Sequence, residues 1–291
     1  MNTRDYDVIY KITNALNRDD GIKFTCLNRL NVISDFMKDS KSYICLNPDG
    51  NLSRIYASNN FFDSENPVVI SSHVDCKQKS YDEQGIYYPF CRKTHNDKYL
   101  QGTFDNAITN AAILLEMIDG NLDSGVAIAF TGDEEVSAKG TFEVTRLIKE
   151  NCKVANIVTY ITLDVTYDDA WKRANFTIEN NYIYQEAINK ILAQSCIDMD
   201  VYWGYLPRET GVYPPTIPIF ARLDGQSMPD ESEAYSIAGN ANVFSLCIPT
   251  NDSYNNYMHT DYGIKIRVED FDIYRKAVSY IANKFSIPYF N

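Results

Sequence analysis

The chain has 291 residues, 45% hydrophobic and 23% charged, a globular balance that excludes a disordered, collagen-like or low-complexity protein. Lys and Arg total 27 against 39 Asp and Glu, for a formal charge of -12 and a pI near 4.7. Such a surface repels phosphate backbones and anionic lipid, so neither nucleic acid nor membrane is an expected partner. Seven cysteines, an odd number with no C-x-x-C pair, argue against a disulfide framework and a thiolate metal site and favour a reducing compartment. Met1 to Asp20 lacks the continuous apolar run of a signal peptide, and no window reaches ~18 uninterrupted apolar residues. A cytoplasmic location is expected.

In chain order, Tyr6 to Leu16 and Phe24 to Met37 have apolar residues at helical spacing. Ser42 to Leu46 and Leu52 to Ala57 read as strands of a hairpin about the turn Pro48-Asp49-Gly50. Val68-Val69-Ile70 suits a buried strand and runs into Ser71-Ser72-His73-Val74-Asp75. Cys76 to Leu100 reads as irregular. Ile108 to Ile118 carries one apolar helical stripe, and Val126 to Phe130 is a second buried strand leading into Thr131-Gly132-Asp133-Glu134-Glu135. Helix Lys139 to Lys149 and strand Ile157 to Leu163 follow, the latter ending at Asp164. Helices are expected over Tyr182 to Ala193, Glu231 to Ala238 and Glu269 to Phe285, with a strand from Val243 to Ile248.

Strands alternating with helices imply a largely parallel sheet covered on both faces. Ligands of such sheets bind beyond the carboxyl ends of the strands. Three apolar strands here end in His73 and Asp75, in Glu134 and Glu135, and in Asp164. Each group has an ordinary reading: acids are common where strands emerge into water. Asp105 or Asn106, in Gly102-Thr103-Phe104-Asp105-Asn106-Ala107, reads either as a helix cap or as a carboxylate held by a rigid turn. The acids at 133–135 read either as a solvated loop before a helix or as a cation site, since unpaired they repel one another. His73-x-Asp75 suits an imidazole ligand whose second N–H a carboxylate accepts. His259 stands in Tyr257-Met258-His259-Thr260-Asp261, whereas His95 lies in a charged loop and is left out.

The order H-x-D, D-N, E-E, D, H, over His73, Asp75, Asp105, Glu134, Glu135, Asp164 and His259, resembles that of the dizinc exopeptidase superfamily, closest to its lid-less aminopeptidases. The likeness spans about residues 67 to 265 and includes the strand before His73, the turn at Asp105 and the double-glutamate motif. It implies a three-layer α/β/α sandwich with a mixed, mostly parallel central sheet. His73 and Asp164 would bind one zinc ion, Glu135 and His259 the other, and Asp105 would bridge them. Asp75 would orient His73, and Glu134 would be the general base acting on a water shared by the metals. A cis peptide is implied at Asp105-Asn106. Cobalt or manganese would also suit these oxygen and imidazole ligands.

An aspartate at the position of Asp164 is, in that superfamily, more typical of aminopeptidases than of carboxypeptidases. The expected activity is therefore zinc-dependent removal of N-terminal residues from peptides. An amidohydrolase or deacylase acting on a small amide, a carboxypeptidase, and a catalytically silent binding protein of the same fold are the alternatives. The substrate ammonium needs an anion, for which Asp230, Glu231 and Glu233 are candidates, although they equally form an acidic first turn of a helix. The stretches from His73 to Asp105 and from Asp164 to His259 leave no room for an inserted lid, so residues 1–291 are expected to form one catalytic domain. Segments 76–100 and 200–230, the latter with Tyr202, Trp203, Tyr205, Tyr213 and Phe220, are the expected pocket walls. No G-x-S-x-G or comparable nucleophile setting is present. Oligomeric state is left open.

Overall fold

The structure is a computed structural model, and it describes residues 1–15, 27–76, 89–94, 97–135, 137–152, 158–166, 174–179, 191, 194–195, 197–199, 207–208, 211–212, 216–217, 231–239, 242–251 and 263–287. Helix α1 spans Thr3–Thr13; it begins ahead of the apolar stripe because the Asn2 side chain accepts the Asp5 N–H at 2.8 Å and caps it. Helix α2 is Leu27–Met37. Strands β1, Tyr43–Cys45, and β2, Ser53–Ser58, form the expected hairpin, with Cys45 opposite Tyr56. Asn47 staples its turn: its Nδ2 donates to the Ser53 carbonyl at 2.7 Å and its Oδ1 accepts the Ile55 N–H at 2.9 Å.

Strand β3 is Val68–His73, β4 Cys91–Lys93 and β5 Tyr99–Gly102. Helix α3 is Ala107–Asp119. It stops at Gly120, whose φ of 72° is left-handed and closes the last turn without a steric penalty. Strand β6, Val126–Thr131, helix α4, Lys139–Asn151, and strand β7, Thr159–Thr166, follow. Strand β8 is Thr177–Glu179, and β9 (Pro207–Arg208), β10 (Gly211–Val212) and β11 (Thr216–Ile217) are two-residue strands. Helix α5 is Glu231–Ile237, β12 Asn242–Pro249, β13 Ile264–Arg267 and α6 Val268–Ser286. The helix expected over 182–193 lies, apart from Ile191, outside the described residues.

Eight strands form the main sheet in the order β1-β2-β6-β3-β7-β12-β8-β11. The central pairs β6–β3, β3–β7 and β7–β12 are parallel, while β1–β2, β2–β6 and β12–β8 are antiparallel. The fold is thus a mixed, mostly parallel sheet flanked by helices. Alternation along β3 explains its layers. Val68 and Ile70 join a core with Ile9, Leu30, Leu115, Tyr274 and Val278, from α1, α2, α3 and α6. Val69 faces the other way, into a core with Val144 and Ile148 of α4 and Tyr235 of α5. Every residue of β3 and β6 is buried, as strands covered on both faces require.

The region from 76 to 100 was expected to be irregular, yet β4 and β5 lie in it and form a second, three-stranded sheet with β13. Only one of the three β4 residues is buried, so no apolar pattern announces that strand. Its partner β13 alternates, with Ile264 and Ile266 inward, and pairs Ile264 with Gly102 across a long sequence separation. That ladder delivers the chain to the turn at Asp105. Among the described residues no helix is long and apolar enough to cross a membrane.

Candidate metal centre

His73, Asp105 and Asp164 meet at the carboxyl ends of the central strands. His73 closes β3, Asp164 lies in β7, the parallel neighbour of β3, and Asp105 sits in the turn between β5 and α3. His73 Nε2 is 3.2 Å from Asp105 Oδ1 and 3.7 Å from Asp164 Oδ1. One donor atom from each residue falls within 4.8 Å of the other two, and among the described residues this is the one such group of three. His73 and Asp105 are buried, whereas 39% of the Asp164 side chain is open.

The imidazole is oriented by its other nitrogen. His73 Nδ1 lies 3.2 Å from the Asp75 carbonyl and 3.5 Å from the Asp75 carboxylate. A carbonyl only accepts, so Nδ1 carries the proton in the neutral ring and Nε2 presents a lone pair to the two aspartates. Burial by itself lowers the His73 pKa; Asp105, Asp164 and Asp75 overcome that and carry it well above the ordinary histidine value.

Asp75 has a second task. Its Oδ1 accepts the Glu134 N–H at 3.3 Å and its Oδ2 the Glu135 N–H at 3.0 Å, so it anchors the double-glutamate turn beside His73. The turn itself depends on a close approach. Asp133 is left-handed at φ 62°, and the second residue of α4 is Gly140, where a Cβ would lie 2.6 Å from the Gly132 carbonyl oxygen. Desolvation raises the Glu134 carboxyl well above its ordinary pKa, against the pull of His73 and with the help of Glu135, Asp164 and Asp75. Desolvation also raises Asp164, against hydrogen bonding and charge from His73.

Asn106 occupies the N-cap position of α3 but its side chain makes no capping bond. Its Nδ2 donates to the Leu163 carbonyl at 2.6 Å, and its Oδ1 accepts the Thr109 hydroxyl. The Asp105-Asn106 peptide is cis, as the resemblance implied. The Asn106 side chain therefore does not act as the cap of α3. Glu135 is not part of the three-donor group. His259, Asp230 and the aromatic residues Tyr202, Trp203, Tyr205, Tyr213 and Phe220 lie outside the described residues.

Glu231 does not stand on an open wall. It is 4% exposed, and its Oε1 accepts hydroxyls from Thr131 at 2.6 Å and from Ser71, which also meets the Tyr235 hydroxyl at 2.8 Å. Burial pushes its carboxyl up to about 7, against His73 and the two hydroxyls. The raised value means that folding favours the protonated acid. That contribution is complete below the unfolded pKa near 4.5 and is lost as pH rises through about 7. Glu231→Gln, which mimics the protonated form, is expected to melt above the parent protein at pH ~8, by at most about 3 kcal/mol, and level with it near pH ~4.5. Metal-free thermal melts at both values check this, and equal melting throughout would show that the buried charge costs nothing.

Some supporting residues escaped the sequence reading. Arg29 of α2 is fully buried and donates to the Val74 carbonyl at 2.9 Å and the Ile12 carbonyl at 3.2 Å, joining α1 to the end of β3. Asn110 of α3 donates to the His73 carbonyl at 2.8 Å. Polar residues inside otherwise apolar helical stripes were the available signal in both cases.

The site's chemistry fits a divalent cation: one imidazole nitrogen and carboxylate oxygens converge, the donor mixture that zinc, cobalt or manganese takes. No protein-family model matches the sequence, and no curated protein matches it. Solved structures do. The chain is similar to the PhTET1-12s dodecamer at 13% identity and TM-score 0.63, over 97% of this chain and 99% of that one. It is similar to a tripeptidase from Staphylococcus aureus at 9% identity and TM-score 0.60, over 97% and 98%. It is also similar to aminopeptidase PepT from Bacillus cereus at 11% identity and TM-score 0.55, over 98% of each chain. At such identities the likeness establishes architecture, and the chain has an α/β zinc-exopeptidase-like fold.

Proposed function

We propose that the chain is a metal-dependent aminopeptidase, a single catalytic domain over residues 1–291 that hydrolyses peptides from a free N-terminus. The observation that carries this reading is the convergence of His73, Asp105 and Asp164 within 4.8 Å at the carboxyl end of a parallel sheet. The motif order and the peptidases among similar folds support it. Asp164, rather than a glutamate, favours the N-terminal over the C-terminal end of the substrate.

In this reading His73, Asp105 and Asp164 would hold a zinc ion, and Glu135 and His259 would serve a second. When bound, the ions supply Lewis acidity towards the scissile carbonyl and lower the pKa of water. The remaining work belongs to the protein. Asp75 holds the Glu134–Glu135 turn by two backbone N–H groups and fixes the His73 ring. Glu134 takes the proton of the attacking water and returns it to the leaving nitrogen. No covalent intermediate is required. The five free cysteines among the described residues agree with a reducing, cytoplasmic setting.

The deciding experiment pairs substrate with metal. Purified protein is assayed on free-N-terminus tripeptides, aminoacyl anilides and N-acyl amino acids, with and without a chelator. The expected result is hydrolysis of the first two, abolished by chelation and restored by zinc or cobalt. Turnover of N-acyl amino acids alone would replace the reading with a deacylase. Inactivity after metal addition would replace it with a silent binding protein.

A further inference from the structure

Strand β3 pairs with β7 only as far as Ser72 opposite Leu163, one residue short of the ligands His73 and Asp164. Beyond that point the backbone carbonyls at the strand ends need other donors, because a buried carbonyl without one is costly. The first turn of α3 supplies them. Asn106 Nδ2 serves the Leu163 carbonyl at 2.6 Å, and Asn110 Nδ2 serves the His73 carbonyl at 2.8 Å. The same Asn110 Nδ2 also donates to the Asn106 carbonyl at 2.8 Å. Both of its partners only accept, so the amide must face them with NH2, and both hydrogens are used. Asn110 is fully buried, and its Oδ1 has no hydrogen-bond partner among the described residues. A buried unpaired oxygen on an otherwise apolar helix is an expense that an alanine or leucine would avoid.

We propose that Asn110 is a positioning residue, whose single NH2 group ties the backbone of His73 to that of the Asp105–Asn106 turn and so sets the distance between the two ligands. Asn106 completes the arrangement by tying the same turn to the residue before Asp164. The β6 ladder still pairs His73 and the β12 ladder still pairs Asp164, but between β3 and β7, where pairing has ended, the N-cap and first turn of α3 tie the ligand backbones to one another. The proposal rests on the reading that His73, Asp105 and Asp164 hold a divalent ion.

The test is cobalt binding by the full chain, followed by calorimetry and by the visible absorption of the bound ion. Asn110→Asp has the same shape but turns an oxygen towards two carbonyls. It is expected to weaken cobalt binding by about 10- to 100-fold and to alter the visible spectrum, the scale found for residues that support metal ligands. Asn110→Ser keeps one donor and is expected to fall between. Circular dichroism and thermal melts of the metal-free proteins establish that the variants are folded, and Asn110→Ser carries the test if Asn110→Asp is not. Wild-type affinity and spectrum in a folded variant would overturn the proposal and make Asn110 ordinary core. Loss of fold in both variants would overturn it in favour of a scaffold role. Failure of the unsubstituted chain to bind cobalt would instead remove the metal reading itself.

Discussion

Glu134→Gln is expected to lower kcat for a free-N-terminus peptide by about 100- to 10,000-fold while leaving the metal content of the protein unchanged. The amide is nearly isosteric, so the turn that Asp75 holds through the Glu134 and Glu135 N–H groups stays in place. What disappears is the ability to accept a proton. In the parent protein desolvation and the neighbouring carboxylates hold the Glu134 pKa well above that of an exposed glutamate. The role assigned to Glu134 requires a side chain that can take a proton and later release it. Steady-state kinetics beside metal analysis on the same samples separate the two roles. Unchanged kcat with full metal would take Glu134 out of the mechanism, and loss of metal would make it a ligand.

Asp105→Asn is expected to abolish tight binding of divalent ions and turnover with it, beyond the 10- to 100-fold that a merely supporting residue costs. Of the carboxylates around the His73 ring Asp105 is the nearest, at 3.2 Å, and it is buried. Asparagine keeps the shape, removes a full charge, and replaces a ligating oxygen by an NH2 that cannot bind a cation. The backbone is supported independently, since Asn106 and Asn110 hold the turn through their own amides. Metal per chain after dialysis is the measurement. Stoichiometric metal in Asp105→Asn would exclude Asp105 from the ligand set, and retained metal with lost activity would restrict it to catalysis.

The site was legible in part because its chemistry is concentrated at element ends. His73, Asp75, Glu134 and Asp164 each follow a short apolar run, and a polar group there stands out against the buried strand that carries it. Glu231 was read less well. In sequence it belongs to an acidic first helical turn, and nothing local distinguishes an acid facing water from one facing a sheet. Its inward direction depends on Ser71 and Thr131, which are 160 and 100 residues away. Strand β4 was missed for a related reason: an exposed strand held by backbone pairing carries no apolar period.

By itself the sequence determined the layered α/β plan, the central strands and the residue types able to hold a cation. Burial on both faces and helical periodicity are written into the local order of apolar side chains. Only the tertiary structure decided which polar groups meet. It set Asp75 against the N–H groups of residues 134 and 135, turned Glu231 inward, and placed Asn106 and Asn110 where the ladder between β3 and β7 ends. Those outcomes arise because buried donors and acceptors must find partners, and the partners are chosen by proximity in space across long stretches of chain.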